Sequence, residues 1–230
     1  MTEQSSEARL PAAPFATRVM LRPLATPLPL GFLALAVATV AFASVQLSWI
    51  PQSEGATVAL GVLVLTVPLQ LLAAVMGFLA RDPVAATGMG ILAGTWGAAC
   101  LATLTSPPGA ASDGLGVILL ASAACLLVPA VAARTKVVPA LVITTSAARF
   151  ALTGIAEIDG GQTWMQAAGW VGIALAVISG YAALALELEG SESRTVLPLG
   201  RVGSSREALD GHLADQVDRV ATEPGVRQQL

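Results

Sequence analysis

The feature that most constrains the fold is an uncharged apolar run of more than twenty residues that begins at Pro27. An α-helix needs about 20 residues to cross the ~30 Å hydrocarbon core of a bilayer. Pro27 and Pro29 stand at the start of the run, where helix amides lack intrahelical partners and proline is tolerated. The stretch therefore predicts a membrane-spanning helix over residues 27–48.

Five further apolar runs follow the first one along the chain. Hydrophobic residues make up 55% of the sequence and charged residues 12%, and the mean hydropathy is +0.74. The charged share is half of the ~25% that is typical of soluble proteins. We therefore predict an all-α membrane protein, a bundle of six helices whose short connections make consecutive helices antiparallel. The predicted spans cover residues 27–48, 56–79, 84–104, 114–133, 137–156 and 164–186.

The basic residues of the tails and connections all fall on one side of this six-span arrangement. They are Arg9, Arg18, Arg22, Arg81, Arg134, Lys136, Arg194, Arg201, Arg206, Arg219 and Arg227. The other three connections contain only acidic charges. Because positive charge is retained in the cytoplasm, both termini are predicted to be cytoplasmic and the protein to be a multi-pass protein of a bacterial inner membrane. The lipid bilayer is thus an expected partner, and the lack of a basic patch with interleaved aromatics argues against nucleic acid.

The composition predicts two tails around the membrane domain. Residues 1–23 are expected to be a disordered cytoplasmic tail, residues 24–186 the six-helix domain, and residues 187–230 a second tail. Residues 187–203 have the composition of a linker, rich in Gly, Ser and Glu. Ser204 and Glu207 have the spacing of a capping box, which predicts a short amphipathic helix near residues 205–221. Such a helix could recruit a partner or lie on the membrane.

Residues with the chemistry of an enzyme active site are missing from the predicted spans. They contain no histidine, no pair of carboxylates and no phosphate-binding loop. Cys100 and Cys125 stand in apolar runs and are interpreted as packing residues rather than as metal ligands or a disulfide. We therefore expect no enzyme activity, no catalytic residue, no metal and no cofactor, which leaves transport, a channel or a scaffold.

Arg149 is the one basic residue inside a predicted span. An arginine at this depth costs at least ~2.5–3.5 kcal/mol unless it faces protein or water, or extends to the interface. One interpretation is a cation that lines an aqueous path and attracts carboxylates. The other is a side chain that extends outward to Glu157 or Asp159. Thr145 and Thr153 lie one helical turn before and after Arg149, so that this helix face is polar.

Gln70 is a second polar residue at membrane depth, and Pro68 precedes it by two residues. Proline removes a backbone donor, which predicts a local kink in the second span. The Gln70 amide could bond to a neighbouring helix or line a pore, and the sequence favours neither interpretation.

Three stretches together resemble the acetate uptake transporter (succinate–acetate permease) family. Residues 26–31, TPLPLG, resemble the Asn-Pro-Ala-Pro-Leu-Gly signature that opens the first helix of that family. Residues 68–96 are similar to its second helix, connection and third helix, and residues 169–185 to its last helix. The resemblance covers about residues 24–186 and extends to neither tail.

This resemblance implies a fold, an assembly and a class of substrate. The family has six transmembrane helices with a pore in each protomer, assembles as a homohexamer, and shares its fold with the urea and amide channels. Its substrates are acetate and other small monocarboxylic acids, sometimes succinate, often moved with a proton. By resemblance, residues 26–31 would line the cytoplasmic mouth, and Leu35 and Leu92 would stand at hydrophobic constrictions.

The sequence departs from the family at several of these positions. Thr26 replaces the signature Asn, Gly77 stands where many members carry Glu, and Thr95 replaces a Phe next to Trp96. The constriction positions carry leucines in place of aromatic residues. The candidate substrate path predicted from polarity and resemblance consists of Thr26, Pro27, Leu30, Gly31, Leu35, Gln70, Leu92, Thr95, Trp96, Thr145 and Arg149.

The sequence thus predicts a membrane permease or channel for acetate or another small monocarboxylic acid, with proton linkage as one possible mode. Two alternatives are a urea or amide channel on the same architecture, and a membrane scaffold whose tail helix recruits a partner. A third alternative is a small-molecule-binding subunit of a larger transporter complex.

Overall fold

The structure is a computed structural model that describes residues 25–192, 194–203 and 205–206. Within these residues, six helices are long enough and apolar enough to cross a membrane. The predicted all-α fold with six spans is therefore confirmed. The predicted tail at residues 1–23, and all but the first two residues of the predicted helix at 205–221, lie outside the described residues. The helices are α1 Leu28–Gln46, α2 Gly55–Leu79, α3 Pro83–Thr105, α4 Asp113–Ala132, α5 Val137–Asp159 and α6 Gln162–Glu192.

The six helices form a closed ring. Each helix packs along the next one in the chain, and α6 packs against α1. The strong pairing of consecutive helices follows from the short connections between them. Because α6 returns to α1, the three alternate helices α1, α3 and α5 can meet only across the centre of the ring. This geometry places their inward side chains on the axis of the bundle.

Several helices are capped by residues that lie directly at their ends. The Asp82 carboxylate accepts hydrogen bonds from the backbone amides of Val84 and Ala85, at 3.1 and 3.0 Å, at the start of α3. Ser112 caps α4 in the same way through the amide of Leu115. At the C-terminal end of α5, Gly160 takes a left-handed conformation with φ of 68°. These are the capping residues that helix ends favour in general.

The start of α5 is completed by a segment that lies far along the chain. Lys136, at its N-cap, provides no side-chain cap. Instead the amides of Val137 and Val138 donate to the carbonyls of Gly200 and Leu199, both at 3.1 Å. Residues 194–203, called the C-terminal strap here, thus satisfy two amides that a helix start leaves without partners.

The C-terminal strap is also attached to α6. The Tyr181 hydroxyl donates to the carbonyl of Pro198 at 2.9 Å, and Arg201 forms an ion pair with Glu189. Leu199 is buried in the hydrophobic core. The structure adds two features to the sequence-based expectation. Helix α6 extends to Glu192, past the end of the predicted span at residue 186, and residues 194–203 of the predicted linker pack against α5 and α6.

Candidate substrate path

An aromatic layer lies at the centre of the ring. It consists of Phe42 on α1, Trp96 on α3 and Phe150 on α5. The Trp96 ring lies 5.3 Å from each of the two phenylalanine rings, measured between centroids. These separations and the tilted geometries are those of favourable aromatic pairs. Since the three helices alternate around the ring, the layer closes the axis of the bundle at this depth.

The side chain of Arg149 lies on this aromatic layer. Its guanidinium carbon is 5.0 Å from the centroid of the Trp96 ring, which is within the range of a cation–π interaction. The residue is only 2% exposed. The cation is thus held deep in the bundle, in contact with an aromatic face rather than with a carboxylate.

A short polar network orients the guanidinium. Nη2 of Arg149 donates to Oε1 of Gln46 at 3.2 Å, and Nε2 of Gln46 donates to Oγ1 of Thr153 at 3.3 Å. The Thr153 hydroxyl in turn donates to the carbonyl of Arg149 at 3.0 Å. The network joins the last turn of α1 to the middle of α5. Gln46 is therefore the residue that fixes the position of the cation.

Arg149 has no acidic partner among the described residues, where the two ion pairs are Arg194–Glu192 and Arg201–Glu189. Of the five donors of a guanidinium, one forms a hydrogen bond to a described residue, and Nε is buried without a partner among those residues. The alternative in which Arg149 extends outward to Glu157 or Asp159 is not the arrangement in the structure. A buried cation with unused donors is suited to an incoming anion.

A glycine on α6 makes room for the cation. A Cβ atom at Gly172 would lie 2.7 Å from Nε of Arg149 and 3.2 Å from Cβ of Ala43. One turn earlier, a Cβ at Gly169 would lie 2.7 Å from Cγ of Leu47. Both glycines allow α6 to approach α1 closely, and Gly172 leaves the space that the guanidinium occupies.

A cavity of about 380 Å³ opens above the aromatic layer. It is called the outer cavity here, because it lies at the end of the bundle formed by the 1–2, 3–4 and 5–6 connections, which are predicted to face away from the cytoplasm. Arg149 and the three aromatic residues line its floor. The polar side chains around it are those of Gln46, Gln52, Thr103, Ser106, Ser112, Thr153, Glu157 and Gln162.

Among the described residues, Glu157 is the one acidic side chain in the wall of the outer cavity. Its Oε2 accepts a hydrogen bond from the backbone amide of Ser112 at 2.9 Å. This contact joins the outer end of α5 to the connection between α3 and α4. Glu157 therefore holds the cavity wall together and places a carboxylate in it.

The predicted cytoplasmic entry lies at the opposite end of α1. Thr26 is exposed, Pro27 and Gly31 are buried, and Leu30 is half-buried. A Cβ at Gly31 would collide with the thioether of Met89 on α3. Gly31 thus permits close packing of α1 on α3, which is the close approach expected of a glycine here.

The predicted constriction residues Leu35 and Leu92 are fully buried in the core. Gln70 is also fully buried, and neither its amide nitrogen nor its amide oxygen has a partner in the described structure. Helix α2 continues through Pro68 without a break. Because no described residue pairs with this amide, the interpretation of Gln70 as a residue of the substrate path remains a prediction.

Thr95 and Thr145 lie away from the outer cavity. The Thr95 hydroxyl donates to the carbonyl of Ile91 on its own helix at 2.7 Å, and Thr145 is half-buried on α5. At Gly77, a Cβ would lie 2.6 Å from the backbone nitrogen of Ala86. The tight contact between α2 and α3 thus leaves no room at position 77 for the Glu that many members of the acetate uptake transporter family, which the sequence resembles, carry there.

Sequence reasoning missed Gln46, Phe42, Phe150 and Gly172 as parts of the site. Gln46 stands in the last turn of the first span, where an interfacial polar residue is ordinary. Phe42 and Phe150 do not differ from other apolar residues of their spans. The adjacency of Phe150 to Arg149 is the one local signal, and a glycine such as Gly172 is common in membrane spans, where it permits close helix packing.

Comparison with known proteins gives a match in structure only. A scan of protein-family models and a search of curated proteins find no match to the sequence. A solved structure described as that of the bacterial acetate channel SatP matches with a TM-score of 0.65 and 22% identity. The match covers 77% of this chain and 99% of the other. The closed ring of six helices is therefore the fold of a bacterial acetate channel.

Proposed function

We propose that this protein is a membrane permease or channel for acetate or another small monocarboxylic acid, and that it acts in a bacterial inner membrane. The shared fold with a bacterial acetate channel supports the class of protein. The observation that carries the proposal for this chain is Arg149, a buried cation at the floor of the outer cavity that has no acidic partner within the part of the chain that the structure describes.

The guanidinium binds the carboxylate of the substrate. A guanidinium matches a carboxylate with two parallel N–H···O bonds, and such charge-assisted bonds are about twice as strong as neutral ones. The hydrogen bond from Nη2 to Gln46 and the contact with Trp96 hold the guanidinium in place before the anion arrives. Binding therefore requires little reordering of the cation, which lowers its entropic cost.

The aromatic layer and the buried leucines beneath it oppose the passage of a charged carboxylate. An ion that enters such an apolar stretch loses its water, at a cost of several kcal/mol. The protonated acid passes more easily, so the anion collected at Arg149 crosses the layer together with a proton. Uptake is then faster when a proton gradient is directed inward.

The first test is uptake of labelled acetate into proteoliposomes of the purified protein, with and without an inward proton gradient. Uptake that increases with the gradient, and that other short carboxylates inhibit, supports the proposal. Absence of uptake of acetate and of other short labelled monocarboxylates by the folded protein contradicts it. Urea flux under those conditions assigns the protein to the urea and amide channels instead.

The second test asks whether Arg149 takes part in transport. Arg149→Ala is expected to reduce acetate uptake by at least about tenfold, which corresponds to the loss of ~1.4 kcal/mol of binding. Arg134→Ala is the matched control, since Arg134 is exposed at the opposite end of the bundle. Equal uptake by both variants at equal abundance in the membrane removes Arg149 from the path.

Assembly as a homohexamer is part of the same proposal, by resemblance to the family. Apolar side chains such as Leu60, Val64 and Val128 are exposed on the outside of the bundle, where lipid or a second protomer covers them. Native mass spectrometry of the purified protein measures the number of protomers. Copurification with other subunits would instead favour a component of a larger complex.

A further inference from the structure

We infer that Glu157 makes the outer cavity selective for monocarboxylates by repelling the second negative charge of a dicarboxylate. This inference rests on the proposed function, because it presupposes that a carboxylate binds at Arg149. It concerns a residue that the predicted substrate path did not include.

The outer cavity has two ionisable side chains in its wall, as far as the described residues go: Arg149 and Glu157. Both lie on α5, and their separation of eight positions corresponds to about 12 Å along a helix axis. Arg149 lies at the floor, on the aromatic layer, and Glu157 lies toward the mouth. A solute that enters the cavity passes the carboxylate before it reaches the cation.

The position of Glu157 is fixed by the fold. Its Oε2 accepts the hydrogen bond from the Ser112 amide, and the side chain is half-buried. Its other carboxylate oxygen has no hydrogen bond to any residue within the described ranges, so that one oxygen is free to act on the contents of the cavity. An exposed, mobile carboxylate would be screened by water and salt, whereas a half-buried one is screened less.

A monocarboxylate and a dicarboxylate interact differently with the pair of Arg149 and Glu157. When one carboxylate of either solute binds Arg149, the rest of the molecule extends toward the mouth. For acetate that remainder is a methyl group, which is compatible with the apolar part of the wall formed by Leu115, Leu119 and Met165. For succinate it carries a second negative charge toward Glu157, and the two like charges repel each other.

The experiment compares initial rates of uptake of labelled acetate and labelled succinate by wild type, Glu157→Gln and Asp159→Asn in proteoliposomes. Glu157→Gln removes the charge but keeps an oxygen that can accept the bond from Ser112. Asp159→Asn removes the same charge from the same end of α5, at an exposed residue outside the cavity wall. It is therefore the control for a general change in surface potential.

We expect Glu157→Gln to raise the ratio of succinate to acetate uptake on the order of five- to tenfold, and Asp159→Asn to change it less than about twofold. An unchanged ratio in Glu157→Gln, with acetate uptake intact, overturns the role of Glu157 and leaves the proposed function standing. An equal rise in both variants also overturns it. Absence of uptake of acetate and of other short monocarboxylates by the wild type instead contradicts the proposed function itself.

Discussion

The guanidinium carbon of Arg149 lies 5.0 Å from the ring centroid of Trp96, although the two residues belong to α5 and α3, which are not neighbours in the ring of helices. The contact exists because both side chains point to the axis of the bundle. It gives a buried cation an aromatic face in place of a carboxylate, so that the guanidinium keeps its capacity to bind an anion.

The space for this guanidinium depends on Gly172, so Gly172→Ala is expected to displace it. The added Cβ would lie 2.7 Å from Nε of Arg149, and forced overpacking of this kind costs about 1–3 kcal/mol. Acetate uptake should fall on the order of tenfold, mainly through a higher KM. Gly180→Ala on the same helix is the control, because no atom of the described residues outside its own helix backbone lies within 4 Å of its added Cβ. Equal KM values for the two variants would contradict the prediction.

The orientation of Arg149 depends on Gln46, and Gln46→Glu should convert that contact into an internal ion pair. The new carboxylate would occupy the guanidinium and compete with the substrate anion. We expect acetate uptake to fall at least about tenfold while the protein still folds. Gln162→Glu adds the same charge at the exposed rim of the cavity and serves as the control. Thermal unfolding in detergent, measured beside uptake, separates loss of binding from loss of structure.

The aromatic layer is expected to act as the barrier on the axis, and Trp96→Ala should open it. Removal of the indole deletes the ring that contacts both Phe42 and Phe150. Uncharged solutes such as glycerol should then pass faster, and discrimination between acetate and larger acids should decrease. Phe78→Ala is the control, because Phe78 is exposed on the outside of the bundle. If glycerol permeability of Trp96→Ala equals that of the control, the barrier lies elsewhere.

The C-terminal strap is expected to contribute stability rather than selectivity. Gly200 has φ of 64°, and an added Cβ would lie 2.7 Å from Cβ of Val137. Gly203 also has a positive φ, of 56°, but no atom of the described residues beyond its chain neighbours lies within 4 Å of its added Cβ. Both Ala variants bear the cost of the left-handed backbone, about 1–2 kcal/mol.

Only Gly200→Ala also loses the packing of the strap on α5. Its midpoint of thermal unfolding in detergent should be several degrees below that of Gly203→Ala, whereas the ratio of succinate to acetate uptake should match the wild type. Equal midpoints would show that the strap adds no stability to the start of α5.

Local properties of the sequence account for the six spans. Length and hydropathy are read residue by residue, and they predict each helix without knowledge of its neighbours. Arg149 could also be identified from the sequence, because a charged residue inside an apolar run differs from its immediate neighbours. The predicted sixth span ends at residue 186, where the apolar run ends, whereas α6 continues to Glu192 through residues that are mostly polar.

The tertiary structure alone decided what surrounds Arg149. Gln46 is separated from it by 103 residues, and the two meet because α6 closes the ring on α1 and leaves α1 and α5 facing each other across the axis. Hydropathy cannot distinguish a Phe that faces lipid from one that faces the axis, because both stand in equally apolar runs. The sequence by itself thus determined the helices and the exceptional cation. The packing of the ring determined the cavity, the aromatic floor and the space at Gly172, because these depend on contacts between distant segments.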